Sequence, residues 1–251
     1  MDEYQENRMP LIGDMAPAFH AVTTQGEINF PMDYLGRWVI LFSHPADFTP
    51  VCTTEFMTFA SMINEFKALN TELIGLSIDS IYSHIAWLRK IQELSWKDIK
   101  HVEVTFPLIE DITMDISKKY GMLHHMSDTQ TVRAVFIIDP EGKIRAILYY
   151  PASTGRNIEE IKRMIIALQK ADCEGVATPA NWMPCDDVIL PPPGSCGAAR
   201  ERLERMDEYM YCIDWFLCFK QSNCTPCDYE YQSHPHYLPD YPNRSRNLYH
   251  R

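Results

Sequence analysis

Cysteine is scarce in the part of the chain with the most regular pattern. Of eight cysteines in 251 residues, only Cys52 comes before residue 170, so it has no sequence neighbour to pair with. Basic residues are also few, 23 Lys and Arg against 34 Asp and Glu, which leaves a net charge of −11. A chain of that sign repels phosphate backbones and anionic lipid, so no nucleic acid and no membrane is expected as a partner. No apolar run approaches the ~20 residues of a membrane span. The opening "MDEYQENRMP" lacks the basic and apolar regions of a signal peptide. The expected address is therefore cytoplasmic, where cysteines are more often catalytic, redox-sensing or metal-binding than structural. Internal repeats are absent as well. What is present is an ordinary apolar fraction, 46%, and a length suited to one large domain with or without an appendage.

The regular part reads as alternating strands and helices. "WVILFS" (38–43) and "ELIGLSI" (72–78) are short continuous apolar runs of the kind that form central strands covered on both faces. Between them, Phe56, Phe59, Met62, Ile63, Phe66 and Leu69 recur at helical spacing and predict one helix over 52–69. A second helix is predicted over 80–94, capped by Ser80 or Ser83. "VTFPLIED" is a strand, and 114–120 a short helix ended by Gly121. "TVRAVFIIDPEGKIRAILYY" is a β-hairpin turning at "DPEGK". An amphipathic helix follows over 157–171. The order describes a mixed sheet flanked by helices, an α/β fold. After Asp172 the Pro- and Gly-rich "GVATPANWMPCDDVILPPPGSCG" reads as an extended arm, and a helix is predicted over 198–216. The expected divisions are 1–171, 172–220 and a loosely docked or disordered tail, 221–251.

"TPVC" is a helix start. Thr49 suits the N-cap and Pro50 the first helical position, which puts Cys52 in the first turn. There the unpaired N–H groups and the positive end of the helix dipole favour the nucleophilic thiolate. A small buried hydrophobe is equally compatible with these residues taken alone.

The segment Pro45-Ala46-Asp47-Phe48-Thr49-Pro50-Val51-Cys52 resembles the peroxiredoxin motif of Pro, three residues, Thr, two residues, Cys. The resemblance continues at Arg133, at "YYPASTGRNIEEIKRMIIALQ" and at "GVATPANW", stretches similar to the 1-Cys type with its C-terminal arm. It spans roughly residues 9 to 220 and implies a thioredoxin-like fold with a C-terminal extension. It also implies a thiol peroxidase that reduces hydrogen peroxide and organic hydroperoxides and needs no cofactor and no metal. Cys52 would be the peroxidatic cysteine, oxidised to a sulfenic acid. Thr49 would hold the peroxide, Pro45 would shield the sulfur, and Arg133 would stabilise the thiolate and the leaving oxygen. Three supporting positions carry plainer alternatives. His44 lines the pocket or is a satisfied buried histidine. Glu55 orients an arginine or simply sits in the first helical turn. Arg156 is the family's second site arginine or an ordinary helix-flanking charge. The family commonly forms dimers through the arm and pentamers of dimers, a homodecamer.

The arm cysteines bear on how the sulfenic acid is reduced. "Cys212-Ile-Asp-Trp-Phe-Leu-Cys218" has the spacing of related microbial proteins. The resemblance implies that Cys218 resolves oxidised Cys52, that Cys212 makes the follow-up exchange, and that a thioredoxin-like dithiol donor recycles the protein. On a continuous helix, residues six apart lie on different faces, so a Cys212–Cys218 bridge requires a break near Trp215. "Cys224-Thr-Pro-Cys227" fits no family role. It offers a thiol relay, or with Cys212 and Cys218 a Cys₄ zinc site. Cys185 and Cys196 flank a Pro-rich loop and could bridge each other, but in a reducing cytoplasm they are expected to stay free; no role is carried over to Cys173. Two other functions remain in view: a redox sensor or chaperone-like scaffold that uses Cys52 as a switch, and a thiol–disulfide oxidoreductase that works through Cys224 and Cys227.

Overall fold

The structure is a computed structural model and describes residues 9–124, 127–204 and 210–222. It divides into two compact units, with the boundary between Ile158 and Glu159. The first unit opens with a hairpin of β1 (Phe19–Thr23) and β2 (Gly26–Phe30). The apolar run 38–43 is β3 (Trp38–Ser43), buried at every position. Helices α1 (Pro50–Ser61) and α2 (Ile63–Ala68) follow, then β4 (Thr71–Ser77) and α3 (Ile81–Glu93). After a small ribbon of β5 (Ser95–Trp96) and β6 (Ile99–Lys100) come β7 (Leu108–Glu110) and α4 (Asp115–Lys119). A second ribbon, β8 (Leu123–His124) with β9 (Ser127–Thr131), leads into the hairpin of β10 (Arg133–Ile138) and β11 (Ile144–Tyr150).

The main sheet runs β11-β10-β3-β4-β7-β1-β2. β3, β4 and β7 are parallel, and the other neighbours are antiparallel. Side chains alternate between its two faces. Val39, Leu41, Ile74 and Phe136 belong to one buried cluster. Phe42, on the other face, stacks on Phe59 of α1 with ring centroids 4.4 Å apart and meets Phe56 edge-on at 5.5 Å. Gly75 of β4 lies under Phe42 and Phe56; a Cβ there would sit 3.0 Å from Leu108 and 3.2 Å from Phe56. α1 therefore starts directly after the C-terminal end of a central parallel strand, the usual place for a site in an open α/β sheet.

Some expectations need correction. The helix predicted over 52–69 is two helices joined at Met62, whose ψ of 6° departs from helical geometry. The β1–β2 hairpin was not anticipated. Ser80 is the cap of α3, its hydroxyl accepting from the Ser83 N–H at 3.3 Å.

The second unit begins within α5 (Ile158–Glu174). The arm folds around Trp182, which packs with Val176, Val188, Ile166 and Ala167. Its indole N–H donates to the Asp186 carbonyl at 3.0 Å. Beyond β12 (Val188–Ile189), helix α6 covers only Cys196–Glu204. The rest of the helix predicted over 198–216 is replaced, among the described residues, by a hairpin of β13 (Met210–Asp214) and β14 (Leu217–Lys220). Cys212 and Cys218 face each other across it, Cα atoms 4.0 Å apart, joined by a disulfide. The break expected near Trp215 is a hairpin turn. The Cys₄ zinc alternative also needs Cys224 and Cys227, which are not among the described residues. Cys185 is disulfide-bonded, against expectation, as is Cys173, while Cys196 is free and exposed. Cys224, Cys227 and the tail lie outside the described residues. No helix among the described residues is long and apolar enough to cross a membrane.

Candidate active site

The site is built where β3 gives way to α1. Phe48 has a φ of 57°, a left-handed conformation that costs a bulky residue on the order of 1 kcal/mol. Thr49 follows in extended geometry and Pro50 opens the helix. Thr49 is the N-cap by position, but its side chain makes no cap bond; its hydroxyl instead donates to the Ala46 carbonyl at 2.9 Å. Cys52 thus sits in the first turn, its side chain fully buried. Pro45 is buried too.

One charged group meets the sulfur, and two more are linked to it. Arg133 is the first residue of β10. Alternation puts it on the α1 face, since Val135, two residues on, pairs with Phe42. Its Nη1 donates to Cys52 Sγ at 3.2 Å and to Glu55 Oε2 at 2.8 Å. Its Nε and Nη2 donate to the Ala152 carbonyl at 3.1 and 2.8 Å, which fixes the guanidinium plane. Glu55, one turn after Cys52, also accepts from Arg156: the backbone N–H at 2.8 Å, Nε at 3.0 Å and Nη2 at 2.6 Å. The remaining Arg156 nitrogen, Nη1, donates to the carbonyls of Ser43 and Ala134 at 2.9 and 3.1 Å. The Arg156 guanidinium lies over the Phe42 ring, 5.0 Å from its centroid. Arg133, Arg156 and Glu55 are all buried. Two cations share one anion in this set, and the Arg133 N–H that is not taken up by carbonyls is divided between Glu55 and the Cys52 sulfur.

Residues 12–147 match the AhpC/TSA family, and residues 167–205 match the C-terminal domain of 1-Cys peroxiredoxin. A peroxiredoxin of Methanosarcina mazei is 66% identical over 215 residues, spanning 85% of this chain and 98% of the relative. The chain belongs to the peroxiredoxin family. Another peroxiredoxin, of Aquifex aeolicus, is 50% identical over 224 residues, 85% of this chain and 97% of its own. Among solved structures, a yeast mitochondrial 1-Cys peroxiredoxin superposes with a TM-score of 0.74 at 43% identity, covering 85% of this chain and 100% of its own. The fold is accordingly the thioredoxin-like fold of peroxiredoxins with a C-terminal extension. The protein is a thiol peroxidase, an enzyme that takes a peroxide as oxidant and a thiol as reductant.

Within that frame, Cys52, Glu55, Arg133 and Arg156 form one connected set, with Pro45 and Thr49 on the loop that delivers Cys52. His44 belongs to a second, adjoining set. Its Nε2 lies 3.0 Å from Asp47 Oδ1, and its Nδ1 is buried without a partner. Burial lowers the His44 pKa, and the Asp47 contact only partly offsets that. Asp47 Oδ2 lies 2.8 Å from Nδ1 of His84 on α3. The Asp47 N–H donates to Asp79 Oδ2 at 3.0 Å, which also accepts from the Ser77 hydroxyl at 2.7 Å. Among the described residues, His44, Asp47 and Asp79 form the group whose spacing could admit a metal ion, but their atoms are largely engaged in these bonds. Asp47, Asp79 and His84 were not singled out in the sequence. The available signal was the position of His84, on the buried stripe of α3 with Trp87 and Ile91 at helical spacing. A buried histidine needs a polar partner.

Proposed function

We propose that Cys52 is the peroxidatic residue. Its thiolate attacks the terminal oxygen of a hydroperoxide, forming an S–O bond as the O–O bond breaks. The leaving alkoxide or hydroxide takes a proton to become alcohol or water, and Cys52 is left as a sulfenic acid. The observation that carries this reading is the Arg133 N–H held 3.2 Å from the sulfur by Glu55 and Ala152. That group favours the thiolate before the reaction and the developing oxyanion during it. Because the Thr49 proton is committed to Ala46, its oxygen is free to accept the peroxide O–H. Pro45 keeps water from the sulfur. Arg156 acts through Glu55 as a positioning residue, and His44 supports the pocket from its buried place beside Asp47.

Resolution follows on the arm. The Cys218 thiol condenses with the sulfenic acid, releasing water and forming a Cys52–Cys218 disulfide. Cys212 then attacks Cys218 and frees Cys52. The Cys212–Cys218 disulfide supports this order as its end product. A dithiol protein of the thioredoxin type reduces it, accepting the disulfide. The yeast 1-Cys peroxiredoxin is described as resolving its thiol via glutathione/thioredoxin systems, which supports a donor of that class. In this reading residues 1–171 carry the peroxide chemistry and 172–220 the exchange. The exposed Tyr211, Ile213, Trp215 and Phe216 of the hairpin support burial against a second copy, in a dimer and a pentamer of dimers.

The test is peroxide consumption by wild type, Cys52→Ser and Cys218→Ser, with dithiothreitol and then with thioredoxin. Cys52→Ser should be inactive with both reductants, and Cys218→Ser active only with dithiothreitol. Activity surviving in Cys52→Ser would remove Cys52 from the chemistry. Disulfide reductase activity persisting there would instead favour an oxidoreductase.

A further inference from the structure

The loop that carries Cys52 is held by groups that the peroxide chemistry does not use. The central one is His84, fully buried on α3. Its ring faces two oxygens, Ile109 O at 3.1 Å from Nε2 and Asp47 Oδ2 at 2.8 Å from Nδ1. A backbone carbonyl only accepts, so Nε2 carries a proton. In a neutral ring Nδ1 would then be bare, its lone pair facing a carboxylate at 2.8 Å. That contact is attractive only if a second proton lies within it, on Nδ1 or on Asp47. Of the two groups the carboxyl is ordinarily the stronger acid, and Asp47 Oδ1 also lies 3.0 Å from His44 Nε2, where a carboxylate can accept a second hydrogen bond. Asp47 is therefore taken as the anion.

The geometry points to His84 as a buried imidazolium, ion-paired with Asp47, that latches the Pro45–Thr49 loop to α3 and so positions Cys52. A second contact of the same helix face strengthens the latch. Trp87, three residues after His84, donates through Nε1 to Thr53 Oγ1 at 3.2 Å. The two contacts fall on either side of Cys52 in the sequence, Asp47 before it and Thr53 after it. The latch matters because the Cys52 side chain is fully buried. Any thiol that bonds to it must bring its Cβ to about 3.8 Å, which requires the loop to yield. The strength of the His84–Asp47 contact then governs how often Cys52 becomes reachable. The functional half of this inference rests on Cys52 being the peroxidatic residue; the charge state of His84 does not.

Two measurements test it. The first is nitrogen-15 NMR of the histidine rings in the reduced wild-type protein near neutral pH. Both His84 nitrogens should appear protonated; a bare Nδ1 would place the proton on Asp47 and overturn the assignment. The second compares the rate of Cys52 alkylation by iodoacetamide in His84→Gln and in Ile91→Ala, a change to a buried apolar residue of the same helix. His84→Gln should raise the rate about tenfold, the loss of one charged hydrogen bond, whereas Ile91→Ala should lower the melting temperature without that rise. No rise in His84→Gln, or an equal rise in both, would reduce His84 to a packing residue. Peroxide turnover enters neither readout, so a failure here is separable from a failure of the peroxidase mechanism.

Discussion

Glu55 has more depending on it than any other carboxylate in the site. It is buried, and it accepts hydrogen bonds from both Arg133 and Arg156. Removing one member of a buried ion set leaves the others uncompensated, at a cost of about 3 kcal/mol or more. Glu55→Gln should therefore lower the unfolding free energy by about that much in urea titrations. It should also lower kcat/KM for peroxide at least tenfold, because Arg133 loses its orientation. A variant as stable as wild type would show that the arginines do not need the charge. The His44–Asp47 pair sets the acid response. Burial holds the His44 pKa below 6.5, so as pH drops past that value the unfolded chain takes a proton that the folded one refuses. Asp47 is depressed from 3.8 to about 2, so its contribution is complete above about pH 4 and is lost as pH falls toward 2. Urea unfolding at successive pH values should show stability declining in these two stages, and Asp47→Asn should remove the second. Cys52 and Arg133 were legible because the motif around Cys52 and the resemblance continuing through "TVRAVFIID" point to them. Asp47, His84 and the Ala152 carbonyl were not, because each acts only through a partner distant in sequence.

At the level of elements, the strongest sequence signals were the continuous apolar runs and the "DPEGK" turn. They gave β3, β4 and the β10–β11 hairpin within a residue or two. The arm is ambiguous in sequence for a physical reason. "MYCIDWFLCFK" is a short apolar run, and such a run does not by itself separate helix from strand. Its aromatic and β-branched content favours strand, and the cross-strand Cys212–Cys218 bond holds the two halves together. The break at Met62 has no Gly or Pro to announce it, and the β1–β2 hairpin lacks a strong apolar alternation. Gly75 offers a test of how tightly α1 is seated on the sheet. With a Cβ 3.0 Å from Leu108 and 3.2 Å from Phe56, Gly75→Ala forces the Cys52 helix or β7 to shift. Overpacking of this kind costs about 1–3 kcal/mol. The expected outcome is a lower melting temperature together with reduced peroxidase activity. Unchanged stability would mean that the contact relaxes freely.

On the scale of the whole molecule, Cys52 and the Cys212–Cys218 pair belong to separate compact units. That separation suits the proposed roles, since a nucleophilic thiolate next to other thiols would be consumed by them. Light scattering should give the mass of a dimer or decamer for wild type, and substituting Trp215 and Phe216 together with Ser should shift it toward smaller species. An unshifted mass would place the interface elsewhere. The most direct measurement concerns the first product. Reduced Cys218→Ser is treated with one equivalent of hydrogen peroxide, trapped with dimedone and mapped by peptide mass spectrometry. A dimedone adduct on Cys52 and not on the exposed Cys196 is the expected result; peroxide consumed with Cys52 unmodified would contradict Cys52 as the peroxidatic residue.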